Sequence, residues 1–282
     1  MDGVDLELYA GEVHALVGQN GAGKSTLIKL IVGGLKRDSG EIMLNGETKN
    51  YLSPEQACHD GIGVIYQETS LISQMTVLEN IFLGVEPLNV ANLIDENKMR
   101  KKFFETCNLL RIVMDPDQIV SRLSIVKKKL VEIMKALVRE SRILIMDEPT
   151  DSLQKQEINH LLKIIEDLKS NQAAVFYITH KFEEVFRVAD RISVLRDGKK
   201  VQTANVPDTT IDEVIRLMAG ESRVTREEIK TSPDKKRQTV LKVEGVTKKN
   251  TLHNVSFDLQ AGEIVAITGL VGAGKTELAR IL

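Results

Sequence analysis

Hydrophobic and polar positions follow two rhythms along this chain. Residues 1–9, MDGVDLELY, alternate with period two, which predicts a half-exposed strand. A turn at Ala10-Gly11-Glu12 leads into an unbroken apolar strand over residues 13–17. The strand that should pair with residues 1–9 is expected upstream of them, so the opening reads as truncated. Residues 18–23 predict a glycine-rich loop and residues 24–31 a helix. Residues 41–44, followed by Asn45-Gly46, predict a strand and a tight hairpin turn, and residues 62–66 another short apolar strand. From about residue 77 to 138 the period lengthens to that of helices. It is clearest over residues 99–110 and 126–138, with Met114-Asp115-Pro116-Asp117 breaking the pattern between them. Strand and helix then alternate. Residues 142–146 predict a strand, and residues 154–168 an amphipathic helix with Ile158, Leu161, Leu162, Ile165 and Leu168 on one face. A strand over 174–179, a helix over 182–189 and a strand over 192–195, ending at Asp197-Gly198, complete the series. That alternation predicts an α/β fold with a parallel sheet covered by helices.

Residues 221–238 are rich in charge and poor in apolar side chains, which predicts a linker. After them the chain repeats itself: LHNVSFDLQAGEIVAITGLVGAGKTEL echoes MDGVDLELYAGEVHALVGQNGAGKSTL, with Lys275 in the place of Lys24. A self-match of this kind predicts two tandem copies of one domain, residues 1–220 and the start of a second over 239–282. Composition narrows the possibilities further. The chain has 282 residues and a formal net charge of -2, so no general affinity for nucleic acid is expected. Cys58 and Cys107 lie far apart without metal spacing and read as reduced thiols. No apolar run approaches the ~18 residues a membrane span needs, and Asp2, Asp5 and Glu7 stand where a leader would be basic and then apolar. Work at a membrane would require the spanning part to come from another chain.

The sharpest chemical signal is GQNGAGKST, formed by Gly18, Gln19, Asn20, Gly21, Ala22, Gly23, Lys24, Ser25 and Thr26. It matches G-x-x-x-x-G-K-[ST] between an apolar strand and a helix, the context a phosphate-binding loop needs. Glycines let backbone N–H groups turn inward on phosphate oxygens, and the helix N-terminus favours an anion. Lys24 supplies a point charge for the β- and γ-phosphates, and Ser25 offers a hydroxyl to Mg²⁺. In the second copy Gly269, Gly272, Gly274, Lys275 and Thr276 repeat the pattern. The second signal is RILIMDEPT, residues 142–150, where an apolar strand delivers Asp147 and Glu148 to its C-terminal end. Asp147 is expected to hold Mg²⁺, and Glu148 to polarise an attacking water as general base. Gln67, after the strand 62–66, would touch the metal or that water, and His180, after the strand 174–179, would contact the γ-phosphate.

The order of these pieces resembles the ATP-binding cassette family: phosphate loop, Tyr66-Gln67-Glu68, helical insert, an LS-containing motif at Leu123-Ser124, ILIMDEPT and YITH. The tandem arrangement, LVEIMKALVRE, THKFEEVFRVADRISVLRDGK and GLVGAGKTELARIL resemble one subgroup, the double-cassette ATP-binding proteins of bacterial monosaccharide importers of the ribose, galactose and xylose type. The resemblance implies a P-loop cassette with a parallel sheet core, an N-terminal antiparallel β portion (here truncated) and a helical subdomain at about 77–138. It implies ATP and Mg²⁺ as cofactors, and Leu123 and Ser124 closing over the nucleotide held by the opposite cassette. It also implies multi-span membrane permease partners, an indirect link to a sugar-binding protein, a second cassette in the same full-length chain, and a peripheral place on the cytoplasmic face of the membrane.

The chain departs from the family pattern in three places. Val126 and Lys127 replace a glycine and a glutamine in LSIVK, and Asp151-Ser152-Leu153-Gln154 follows DEPT. The aromatic residue that usually stacks on adenine would precede the first strand. Two other functions therefore stay open at this point: a soluble tandem-cassette ATPase acting on ribosomes, and a hydrolysis-poor nucleotide-binding regulator.

Overall fold

A computed structural model describes residues 1–220, 238–249, 251–269 and 273–282. The chain divides into two compact units, Met1–Val224 and Thr225–Leu282. The linker expected over 221–238 falls almost wholly outside the described residues.

The first unit runs β1 (Val13–Gly18), α1 (Lys24–Ile31), β2 (Ile42–Leu44), β3 (Glu47–Lys49), α2 (Pro54–His59) and β4 (Ile62–Ile65). It continues through α3 (Val77–Phe82), α4 (Glu96–Leu109) and α5 (Ile125–Val138) to β5 (Ile143–Asp147), α6 (Lys155–Ser170) and β6 (Ala174–Ile178). The remaining elements are α7 (Phe182–Val188), β7 (Arg191–Arg196), β8 (Lys199–Asn205) and α8 (Ile211–Ala219). Six strands form one sheet in the order β4-β5-β6-β1-β7-β8. The pairs among the first five strands are parallel, as the strand–helix alternation predicts, and β8 pairs antiparallel with β7.

Side-chain alternation explains why the sheet is covered on both faces. In β5, Leu144 and Met146 join the core under α5 and α6, whereas Ile145 joins the core under α1. In β6, Val175 and Tyr177 face the first core and Phe176 and Ile178 the second. The helical stretch begins at caps that apolar periodicity does not report. Thr76 and Glu79 form a capping box on α3, Asp95 accepts from Lys98 N–H at the start of α4, and Ser124 accepts from Lys127 N–H at the start of α5. These caps set the starts of α4 and α5 at Glu96 and Ile125, ahead of the first strongly periodic residues.

Two expectations need correction or completion. Residues 1–9 form no strand: no ladder partner lies beside them among the described residues. Val4, Leu6 and Leu8 nevertheless pack on the α1-side core. Alternation specifies a strand's faces, but a neighbour must complete its hydrogen bonds. The strand β8 and the helix α8, which follow Asp197-Gly198, lie beyond what periodicity and motifs predict.

The second unit holds β9 (Thr239–Lys248) paired antiparallel with β10 (Leu252–Gln260), and α9 (Lys275–Ile281).

Candidate active site

β1 ends at Gly18, and the loop after it curls back because two glycines permit what a side chain would not. A Cβ on Gly18 would lie 2.6 Å from the Leu195 carbonyl oxygen. Gly23, with φ 104°, is the left-handed residue from which α1 starts. The Lys24 side chain is buried and folds over the loop, donating to the carbonyls of Gly18 at 2.7 Å and Gln19 at 3.2 Å. Next to it, the Ser25 hydroxyl donates to Asp147 Oδ2 at 3.5 Å, across from the end of β5. Asp147 is buried, and that burial pushes its carboxyl up from the ordinary carboxylate range against the opposing pull of Lys24.

Glu148 leaves the strand with φ 46°, an uncommon backbone for a glutamate, held by its N–H donating to Ile178 O at 2.8 Å. Strained backbone of this kind concentrates at working sites. The turn brings Glu148 Oε2 within 3.1 Å of His180 Nδ1. Burial and a hydrogen bond with Asp151 raise the Glu148 carboxyl, while His180 opposes the shift. Asp151 moves the other way. Its own partial burial would raise it, but the hydrogen bond with Glu148 and the charges of Lys181 and His180 hold it lower. Asp151 also accepts from Gln67 Nε2 at 3.1 Å and lies 3.5 Å from Lys181 Nζ. Behind it, Glu184 accepts from the Thr150 hydroxyl at 2.7 Å and the Tyr177 hydroxyl at 2.6 Å, which fixes the turn against the start of α7.

These groups enclose a cleft of about 850 Å³. It is lined by the glycine-rich loop residues Gly18 to Gly21 and Gly23 to Thr26, and by Gln67, Asp147, Glu148, Asp151, His180 and Met218. Every first-copy residue singled out around the loop reaches it except Ala22, which is buried behind the loop. Leu123 and Ser124 do not line it: Leu123 is in the core and Ser124 caps α5. Gln67 is expected at the metal or the water, yet its amide is held by Asp151. Asp151, Lys181 and Met218 carry no motif that marks them as site residues; Asp151 stands out in sequence only as part of a departure from the family pattern. A larger groove, about 2120 Å³, lies beside residues 3–10 and the outer face of α1, away from Asp147, Glu148 and His180. It lacks that acid–base set, so the smaller cleft is the candidate site.

In the second unit Lys275 Nζ likewise donates to Gly269 O, and Gly274, with φ 85°, precedes α9 and Thr276. Gly272 lies outside the described residues.

Ser25 and Asp147 place two hard oxygen donors side by side at the loop mouth, a set that suits Mg²⁺ held by few protein ligands and phosphate oxygens. A parallel sheet that ends in such a loop, opposite an acid pair, defines a P-loop cassette. The sequence profile described as ABC transporter matches residues 1–151, more than half of the chain, and the chain belongs to the ABC transporter family. It is 43% identical to the ribose import ATP-binding protein RbsA of Geobacillus kaustophilus, covering 99% of this chain and 56% of that protein. A putative ribose/galactose/methyl galactoside import ATP-binding protein of Burkholderia cenocepacia is 42% identical, over 99% of this chain and 55% of that protein. The chain therefore spans a little over half the length of these relatives. Its fold matches the ADP conformation of an ATP-binding cassette of an ABC transporter with a TM-score of 0.66 and 27% identity, over 78% of this chain and 89% of that one. Among the described residues no helix is long and apolar enough to cross a membrane.

Proposed function

We propose that this chain binds ATP with Mg²⁺, hydrolyses it, and serves as the ATP-binding subunit of a monosaccharide importer. The observation that carries the reading is the cleft in which the Lys24 loop faces Asp147, Glu148 and His180. Lys24 donates to two loop carbonyls here; on binding, its ammonium turns to the β- and γ-phosphates beside the N–H groups of the loop. Ser25 and Asp147 would hold Mg²⁺, which would supply positive charge against the phosphoryl oxygens. Glu148, oriented by His180, positions the attacking water and takes its proton. Gln67, released from Asp151, would face the metal or the water, and His180 would contact the γ-phosphate.

The wider assignments rest on the relatives' names and on the internal repeat. Residues 1–220 form the first nucleotide-binding domain, with a helical subdomain at about 77–138. Residues 221–238 link it to a second cassette that starts at 239. Leu123 and Ser124 close over the nucleotide of the opposite cassette, whose own loop uses Gly269, Gly272, Gly274, Lys275 and Thr276. The partners are multi-span permease subunits, approached from the cytoplasmic face, and a sugar-binding protein meets the chain only through them.

Titration with a fluorescent ATP analogue and steady-state ATPase assays test the reading. Lys24→Ala should weaken nucleotide binding by roughly 10- to 100-fold, the size of losing charge-assisted hydrogen bonds. Glu148→Gln should keep binding and lower turnover by about 10²- to 10⁴-fold, the span of general-base contributions. Binding untouched by Lys24→Ala would overturn the assignment, and so would turnover untouched by Glu148→Gln.

A further inference from the structure

Behind the cleft, where the charge of Lys129 favours the ionised form of Asp147, α5 carries a buried ion pair that the chemistry above does not use. Lys129 and Glu132 have side chains only 5% exposed, with Nζ and Oε2 3.0 Å apart. A buried pair is poor evidence for stability, since apolar residues of similar volume often do as well. What distinguishes this pair is its other partners. Lys129 Nζ also donates to the Tyr66 carbonyl, and to that of Gln67 at 3.3 Å. Glu132 Oε1 accepts from the Ser70 N–H at 2.9 Å. One cation and one anion on a single helix thus satisfy three backbone groups of residues 66–70, a stretch with no strand or helix of its own. Gln67 sits inside that stretch, and its side-chain amide donates to Asp151 at 3.1 Å.

We infer that Lys129 and Glu132 are positioning residues for Gln67: they lock its backbone to α5, so that the helix beginning at Ser124 and the amide at the cleft move as one body. The inference rests on the ATPase reading for its effect on turnover, but the clamp has a signature of its own. With Lys129→Met and Glu132→Leu combined, no lone buried charge is left and the volume stays, so the full chain should fold, melting somewhat below the parent because three backbone hydrogen bonds are lost. Turnover should then drop about tenfold with nucleotide affinity held within about twofold, since the clamp serves positioning rather than binding. In a Gln67→Ala background the same pair of changes should alter turnover by less than about twofold, because the residue being positioned is gone. Hydrogen exchange at the Ser70 amide should rise at least about tenfold with the pair removed, a readout that needs no turnover. If the double variant does not fold, Lys129→Gln with Glu132→Met replaces it: no charge is left buried and the acceptor of the Ser70 N–H is gone, so Ser70 exchange should rise as before. Unchanged Ser70 exchange, full turnover, or an equal loss with and without Gln67 would each overturn the inference. A parent chain that hydrolyses no ATP, together with fast Ser70 exchange in the variant, would instead sink the ATPase reading and leave the clamp standing.

Discussion

The two copies of the repeat begin with nearly the same residues and end in different structures. In the first, β1 is buried along its whole length between β6 and β7. In the second, the matching IVAITG, residues 264–269, joins no ladder among the described residues, and Ile264 is 97% exposed. The preceding segment reverses the contrast. Residues 1–9 are unpaired, whereas their counterpart β10 is paired along its length with β9. The loop and helix after each strand do not differ in this way. Both lysines fold onto the first glycine of their loop, and both helices start from a left-handed glycine. A strand needs a neighbour to exist, while a glycine-rich turn feeding a helix is decided by the residues within it.

That contrast can be broken most sharply in the core. Leu16 is buried under α1, and its counterpart Ile267 is 45% exposed. Leu16→Ala should therefore destabilise by about 2–5 kcal/mol in thermal or chemical unfolding, and Ile267→Ala by roughly 0.5 kcal/mol or less. Equal costs would mean that the second strand is as well packed as the first.

The loops should show the opposite result. An alanine at Gly23 or at Gly274 must adopt a positive φ, which costs roughly 1–3 kcal/mol. Hydrogen exchange should accelerate in both helices, more in α9, where the added Cβ would also lie 2.9 Å from the Thr251 carbonyl oxygen, than in α1, where it would meet the flexible Met1 side chain. A penalty in only one copy would show that the shared turn is held by its surroundings.

The smallest effect concerns pH. Within β1, His14 is fully buried between the Glu7 carbonyl and the Ser193 hydroxyl, both at 2.8 Å, and its counterpart is Val265. Burial pushes the imidazole below its ordinary value of 6.5, the hydrogen bond to Glu7 opposing, so the folded state prefers it neutral. The unfolded chain then takes up the extra proton as pH falls. The contribution is complete above the ordinary value and is lost as pH drops below it. Chemical denaturation at a series of pH values should show this loss in the parent, and His14→Val should flatten it. An identical slope in the variant would show that His14 does not carry the effect.

Much of the site was legible because its signals are local. GQNGAGKST requires a particular backbone, and an apolar strand that ends in Asp147-Glu148 must present both acids at the C-terminal end of the strand. The parallel sheet followed from alternation of periods. Asp151 was legible only as an odd residue after DEPT, because its partners Gln67 and Lys181 come from distant stretches. The clamp of Lys129 and Glu132 was hidden for the same reason: Lys127, Lys128 and Lys129 look alike in sequence, and burial of the third is a property of how α5 lies against residues 66–70. β8 and α8 were not legible because each packs on β7 and carries no motif.

By itself, the sequence determined the glycine-rich loop, the acid pair, most of the longer helices and the repeat of its own opening, since each depends on residues a few positions apart. Tertiary structure alone decided which alternating segment became a strand, which lysine was buried, and that the Gln67 amide rests on Asp151. Those outcomes depend on hydrogen-bond partners and desolvation supplied by remote parts of the chain, which no local pattern records.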